Sequence, residues 1–161
     1  MLAQTVAGLY EAYGPRLYRY AVLLLADRAA AEDALQDVFL QIARALDRGG
    51  FDVTFAYLAT TVRNTCYSAL RRRRRRSEVA EPILEAASPE ATEEERMMID
   101  QALKTLPAEQ REVVYLKVFE GLTFQEIADR CDVSINTAGS RYRYAMQSLR
   151  RALSPGVSRA E

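Results

Sequence analysis

Asn136, Ser140, Arg143, Tyr144 and Gln147 fall on one side of a helical pattern, and together they carry amides, hydroxyls and a guanidinium. Groups of these types hydrogen-bond base edges and phosphate oxygens in a DNA groove. The opposite side of the same pattern holds Ala138, Tyr142, Ala145 and Leu149, which fits a helix packed on a core. A second concentration of polar chemistry lies earlier, where Arg63 and Asn64 precede six consecutive arginines, Arg71 to Arg76. Phe51, Phe55, Tyr57 and Tyr67 surround it. Aromatic residues beside a cationic helix can hold unstacked bases of a single strand, although each such ring is by default a core residue. A third polar face, Asp33, Gln36, Asp37 and Gln41, lies opposite Leu35, Val38, Phe39, Ile42 and Leu46. It suits ordinary surface or the docking of a basic partner.

Bond-making chemistry finds little support. The chain has no histidine, which removes the commonest general base and metal ligand. Cys66 and Cys131 are far apart and lack metal-ligand spacing, so neither a metal nor a cofactor is expected. An unlinked pair of thiols fits a reducing, cytoplasmic compartment. There is no nucleophile–base pair and no phosphate-binding glycine loop, so the chain does not read as an enzyme acting on a small molecule.

The elements that must position these groups are helical throughout. Thr123 and Glu126 form a capping-box pair that starts a short helix bearing Ile127, Ala128 and Cys131 on its apolar face. Asp132 and Val133 make a turn, and Ser134 can cap the next helix. The result is a helix-turn-helix. Gly139 lies inside the second helix, at a cost of roughly 1 kcal/mol.

Upstream, Leu9, Tyr13, Leu17, Tyr20 and Leu24 recur at helical spacing, with Gly14-Pro15 as an expected break or kink. A second helix is expected from Ala31 to Ala45, ended by Arg48-Gly49-Gly50, and a third from Phe55 to Arg72. Pro107 suits a first helical position and Gly121 a helix end. The fold class is therefore all-α, with two small helical domains joined by a flexible acidic linker, the C-terminal one a helix-turn-helix. The expected divisions are 1–76, a linker at 77–98, a second domain at 99–153 and a tail at 154–161.

The 161 residues carry 22 Lys+Arg and 22 Asp+Glu, but the neutral total hides a pattern. Residues 1–76 hold 12 basic and 7 acidic side chains, a balance of +5, while 77–98 hold 1 and 7, a balance of −6. From Ser134 to Ala160 there are five arginines and no acid. A polyanion responds to such local fields, and the neutral total argues against strong indiscriminate binding. The six-arginine run suits a solvated helix end, a phosphate clamp or a nuclear-import signal. The aliphatic run Ala21 to Ala26 is too short to span a bilayer, and the N-terminus lacks the pattern of a signal peptide.

Several fragments in order resemble the extracytoplasmic-function (ECF) sigma factors of bacterial RNA polymerase. They are Leu9-Tyr10 and Leu17-Tyr18, the segments at 31–40 and 55–64, Leu70 to Arg73, the segments at 102–107 and 120–128, with Arg111, and the segment at 136–141. The resemblance covers roughly 4–76 and 99–153. It implies a sigma region 2-like domain that binds core polymerase and opens the minus-ten element, and a region 4-like domain that reads the minus-thirty-five element, with no middle domain. By carry-over, Asp33, Gln36, Asp37, Phe39 and Leu40 would bind core polymerase. The loop at 47–54 would pocket an extruded base, with Tyr57 beside it and Arg63 and Asn64 gripping the strand. Arg71 and Arg72 would hold its backbone. Asn136, Thr137, Ser140, Arg141, Arg143 and Tyr144 would meet the upstream element. The implied partners are core RNA polymerase, promoter DNA and an anti-sigma factor, with no small-molecule substrate and no membrane insertion. The sequence departs from the family at Tyr57, where tryptophan is usual, at Ser68, where aspartate is common, and at Cys131-Asp132, which replace Leu-Gly. A stand-alone helix-turn-helix regulator and a sigma-like decoy are the competing readings.

Overall fold

Local capping chemistry sets most of the helix boundaries in the computed structural model, which describes residues 4–73, 90 and 92–154. The chain divides into two compact units, residues 1–81 and 82–161. Among the described residues every regular element is helical.

In the first unit, Thr5 accepts a hydrogen bond from the Gly8 N–H at 3.1 Å and starts α1, Val6–Leu25. The helix ends at Ala26, which is left-handed (φ 49°) and donates its N–H to the Val22 carbonyl. Asp27 then accepts from the Ala30 N–H at 3.0 Å and starts α2, Arg28–Asp47. That start is three residues earlier than the apolar pattern suggested, because the cap lies ahead of the first buried residue. Arg48 ends α2, Gly49 turns the chain at φ +83°, and α3 follows at Phe55–Arg73.

The expected break at Gly14-Pro15 does not occur, and α1 runs through Pro15. The missing N–H and ring clash cost about 3 kcal/mol. Against this, Leu17, Tyr20 and Leu24 are buried where α1 packs on α2 and α3. Each large apolar side chain so buried contributes about 1.5–3 kcal/mol. Val38, Ile42, Leu58, Val62 and Cys66 complete this core.

In the second unit a capping box opens α4, Glu93–Thr105. The Glu95 N–H donates to Thr92 Oγ1 at 3.2 Å, and the Thr92 N–H donates to Glu95 Oε2 at 2.8 Å. Glu93, Glu94 and Glu95 therefore form the first turn of a helix, where carboxylates favour the helix dipole. The expected linker at 77–98 thus gives up its last residues to α4; residues 77–89 and 91 lie outside the described residues, as does the tail beyond Ser154. Pro107 stands just ahead of α5, Ala108–Val114, one place earlier than expected. A π-helical turn at Tyr115–Phe119 continues α5, with the Glu120 N–H reaching the Tyr115 carbonyl at 3.1 Å. Gly121 follows at φ +68°, as a helix-ending glycine should. Then come α6, Phe124–Cys131, and α7, Ile135–Leu153. Leu103, Leu116, Ile127, Ala138, Ala145 and Leu149 form the second core. Glu112 is fully buried within it, and the Cys131 thiol donates to its Oε1 at 3.3 Å.

Candidate nucleic-acid interface

The helix-turn-helix is built by side chains within four residues of one another. The Glu126 N–H donates to Thr123 Oγ1 at 3.1 Å, and the Thr123 N–H returns to Glu126 Oε1 at 3.2 Å. The Thr123 backbone N–H, followed by its hydroxyl, holds the Glu126 carboxyl below its ordinary value, with the charges of Arg130 and Lys117 adding a smaller pull. Asp132 adopts the left-handed conformation the turn requires (φ 54°). Its N–H and that of Val133 both reach the Ala128 carbonyl. Ser134 accepts from the Thr137 N–H at 3.1 Å and aims α7 out of the turn.

On α7, Asn136, Arg143 and Tyr144 are exposed, while Thr137, Ser140 and Arg141 are half-buried. Thr137 is partly engaged at home, because the Ser134 hydroxyl also donates to Thr137 Oγ1 at 3.0 Å. The Arg143 guanidinium lies 5.6 Å from the Tyr144 ring centroid. Tyr142 turns inward, edge-on to Phe124 at 5.4 Å. A Cβ on Gly139 would meet nothing within 4 Å. The helix packing therefore gives no reason for a glycine there.

On α3, Tyr57, Asn64 and Arg71 are all exposed. They are seven residues apart and so share one helical face, spanning about 21 Å at the α-helical rise. Arg63 lies beside that face, half-buried, with its guanidinium 4.5 Å from the Tyr67 ring. The rings that sequence alone would assign to the core divide. Phe51 and Tyr57 are 50% and 43% exposed and meet edge-on at 5.0 Å. Phe55 is held instead by Tyr13 (5.4 Å) and by the Arg16 guanidinium (3.8 Å).

The arginine run is not uniform. Arg71 donates to Ser68 Oγ at 2.9 Å and stays exposed, as does Arg72. Arg73 turns inward, donating to the Leu25 carbonyl at the end of α1 and to Asp27 Oδ2, the cap of α2, at 3.2 Å. One guanidinium thereby ties three helices together at a partly buried position. Arg73→Ala should lower the stability of the first unit by up to about 1.5–3 kcal/mol, the range for a hydrogen bond to a charged group. Arg71→Ala should change it by less than about 0.5 kcal/mol. Urea titration of the two variants checks this, and equal stabilities would contradict the inward assignment. Arg74 to Arg76 lie outside the described residues.

On α2, Asp33, Gln36, Asp37 and Leu40 are exposed, but Phe39 is only 7% exposed. Its ring lies edge-on to Tyr10 at 5.2 Å, so Phe39 supports this surface from behind and does not form it. Tyr10, whose ring meets that of Phe39, is itself 55% exposed. Asp33 and Asp37 line one wall of a groove whose other wall carries Arg72 and Arg73. Val118 and Phe119, 56% and 52% exposed, lie within the π-helical turn on the second unit. Among the described residues there is no cluster of His, Cys, Asp and Glu suited to a metal. No described helix is long and apolar enough to cross a membrane.

Comparison with known proteins covers both units. Residues 9–76 match the family model for Sigma-70 region 2, and residues 96–149 match that for Sigma-70, region 4. The chain is 30% identical over 166 residues to the ECF RNA polymerase sigma factor SigL of Mycobacterium tuberculosis, covering 98% of this chain and 94% of SigL. It is 27% identical to SigK of Mycolicibacterium vanbaalenii, covering 94% and 83%. Among solved structures it is similar to the sigma factor RpoE of Bartonella quintana, crystallised in complex with the anti-sigma factor NepR. The TM-score is 0.73 at 26% identity, over 89% of this chain and 93% of that one.

Proposed function

This chain belongs to the ECF RNA polymerase sigma factors, and from that premise we propose a division of labour between its two units. The first unit docks on core polymerase through the outer face of α2 and takes hold of the opened minus-ten strand along α3. The second reads the minus-thirty-five element as duplex through α7. The observation that carries this reading is the exposed line of Tyr57, Asn64 and Arg71 on one face of α3, which offers a ring, an amide and a cation in sequence to a single strand. Opening a duplex costs a few kcal/mol per unstacked step. A protein that works by binding, without bond-making chemistry, recovers that cost by holding the strand and by acting with the polymerase. Two units that engage two DNA elements on one template gain from effective concentration, so each can bind weakly alone. Action alongside polymerase and DNA implies the cytoplasm. An anti-sigma protein is a further partner, by likeness to the RpoE complex.

The test is to add the purified chain to bacterial core polymerase and measure initiation on a promoter library. A chain that forms no complex with core yet shifts palindromic duplex alone would be a stand-alone regulator instead.

Gly139 bears on the duplex-reading half. It lies three residues after Asn136 and four before Arg143, at the border of the outward face of α7. Gly139→Ala should stabilise the free second unit by about 1 kcal/mol through helix propensity. A methyl at the border of a groove-facing surface should at the same time weaken upstream-element binding, which thermal melts and duplex titration would show together. A gain in stability with unchanged affinity would remove Gly139 from the contact surface.

A further inference from the structure

Gln4 and Val53 are 49 positions apart and are joined at two points. The Val53 N–H donates to Gln4 Oε1 at 2.7 Å, and Gln4 Nε2 donates to the Val53 carbonyl at 3.1 Å. One primary amide thus satisfies both backbone groups of a residue that is 3% exposed, as a neighbouring strand would. Both sides of this lock are anchored. The next residue, Thr5, caps α1, so Gln4 stands at a fixed helix start. Beyond Val53, Thr54 accepts from the Tyr57 N–H at 3.2 Å, and its carbonyl accepts from the Leu58 N–H at 3.1 Å, which starts α3. At the far end of the segment, the Gly49 N–H reaches the Leu46 carbonyl at 3.1 Å. Between the two anchors, Phe51 projects outward against Tyr57.

We propose that Gln4 is a positioning residue for capture of the opened promoter strand: its amide presets segment 48–54 and so holds the Phe51–Tyr57 ring pair ready for an unstacked base. The proposal rests on the reading that this face of the first unit takes single-stranded DNA. Gln4 lies ahead of residues 9–76, which match Sigma-70 region 2. A segment released from it must be ordered at the moment of binding, and that ordering is drawn from affinity.

The experiment uses holoenzyme assembled from the full chain and core polymerase, with a randomised pool of single-stranded DNA as the probe. Wild-type holoenzyme should enrich a preferred strand. Gln4→Ala should bind that strand about tenfold more weakly, as expected when a binding segment loses preorganisation. It should also discriminate less well at one base position, while its affinity for core polymerase stays the same. Gln4→Glu, which still accepts from the Val53 N–H but opposes the Val53 carbonyl, should be intermediate and serves if the alanine variant does not fold. Wild-type strand affinity and discrimination in both variants would overturn the role of Gln4, and so would a parallel loss of core affinity. A wild type that enriches no strand would overturn the underlying strand-capture reading, and the proposal with it.

Discussion

Leu40→Arg should weaken binding to core polymerase by about 30- to 1,000-fold, the range of a hot-spot loss of 2–4 kcal/mol, while leaving the first unit folded. Leu40 is 55% exposed, a large aliphatic side chain on an otherwise polar helix face. It follows Asp33, Gln36 and Asp37 by seven, four and three residues, so all four project from one side of α2. An apolar centre with an acidic and amide rim is the anatomy of a protein interface. The arginine costs little in the free chain, because its helix propensity is close to that of leucine and the side chain it replaces is more than half exposed. A loss of core binding without a change in melting temperature therefore reports the surface itself. Phe39 could not serve for this test, since truncating a 7%-exposed ring would carve the core and confuse unfolding with lost contact. Titration of labelled core polymerase, with melts alongside, makes the measurement, and undiminished binding would remove the outer face of α2 from the assignment.

Asn64→Ala should reduce promoter opening by about 5- to 150-fold, the equivalent of one base-edge contact of 1–3 kcal/mol. Binding to an isolated upstream duplex should not change. Asn64 is exposed midway between Tyr57 and Arg71 on α3. Alanine is the better helix former, so the substitution cannot act by loosening the helix. Permanganate reactivity of unpaired thymines measures opening, and a duplex shift assay measures the upstream element. Equal loss in both assays would contradict the separation of roles between the units.

Much of the second unit is legible from residues alone, because its geometry comes from partners within four positions. Thr123 with Glu126, Ser134 with Thr137 and the left-handed Asp132 are each decided by a side chain meeting a nearby backbone group. The polar face of α7 follows from its start, since a helix once capped has a fixed phase. The π-helical turn is the local exception. It carries no compositional mark, and it appears only in three dimensions.

The sequence by itself determined the all-helical class, the caps, the apolar faces and which residue types stand ready for DNA, because these depend on chain-local hydrogen bonds and on helical periodicity. Tertiary structure alone decided which of those residues are free to act. It carried α1 through Pro15, turned Phe39 inward behind Tyr10, and withdrew Arg73 from its neighbours to bind Leu25 and Asp27. It also joined Gln4 to Val53 across 49 positions. Each of these outcomes balances burial and pairing between segments far apart in the chain, and no window of sequence contains both sides of that balance.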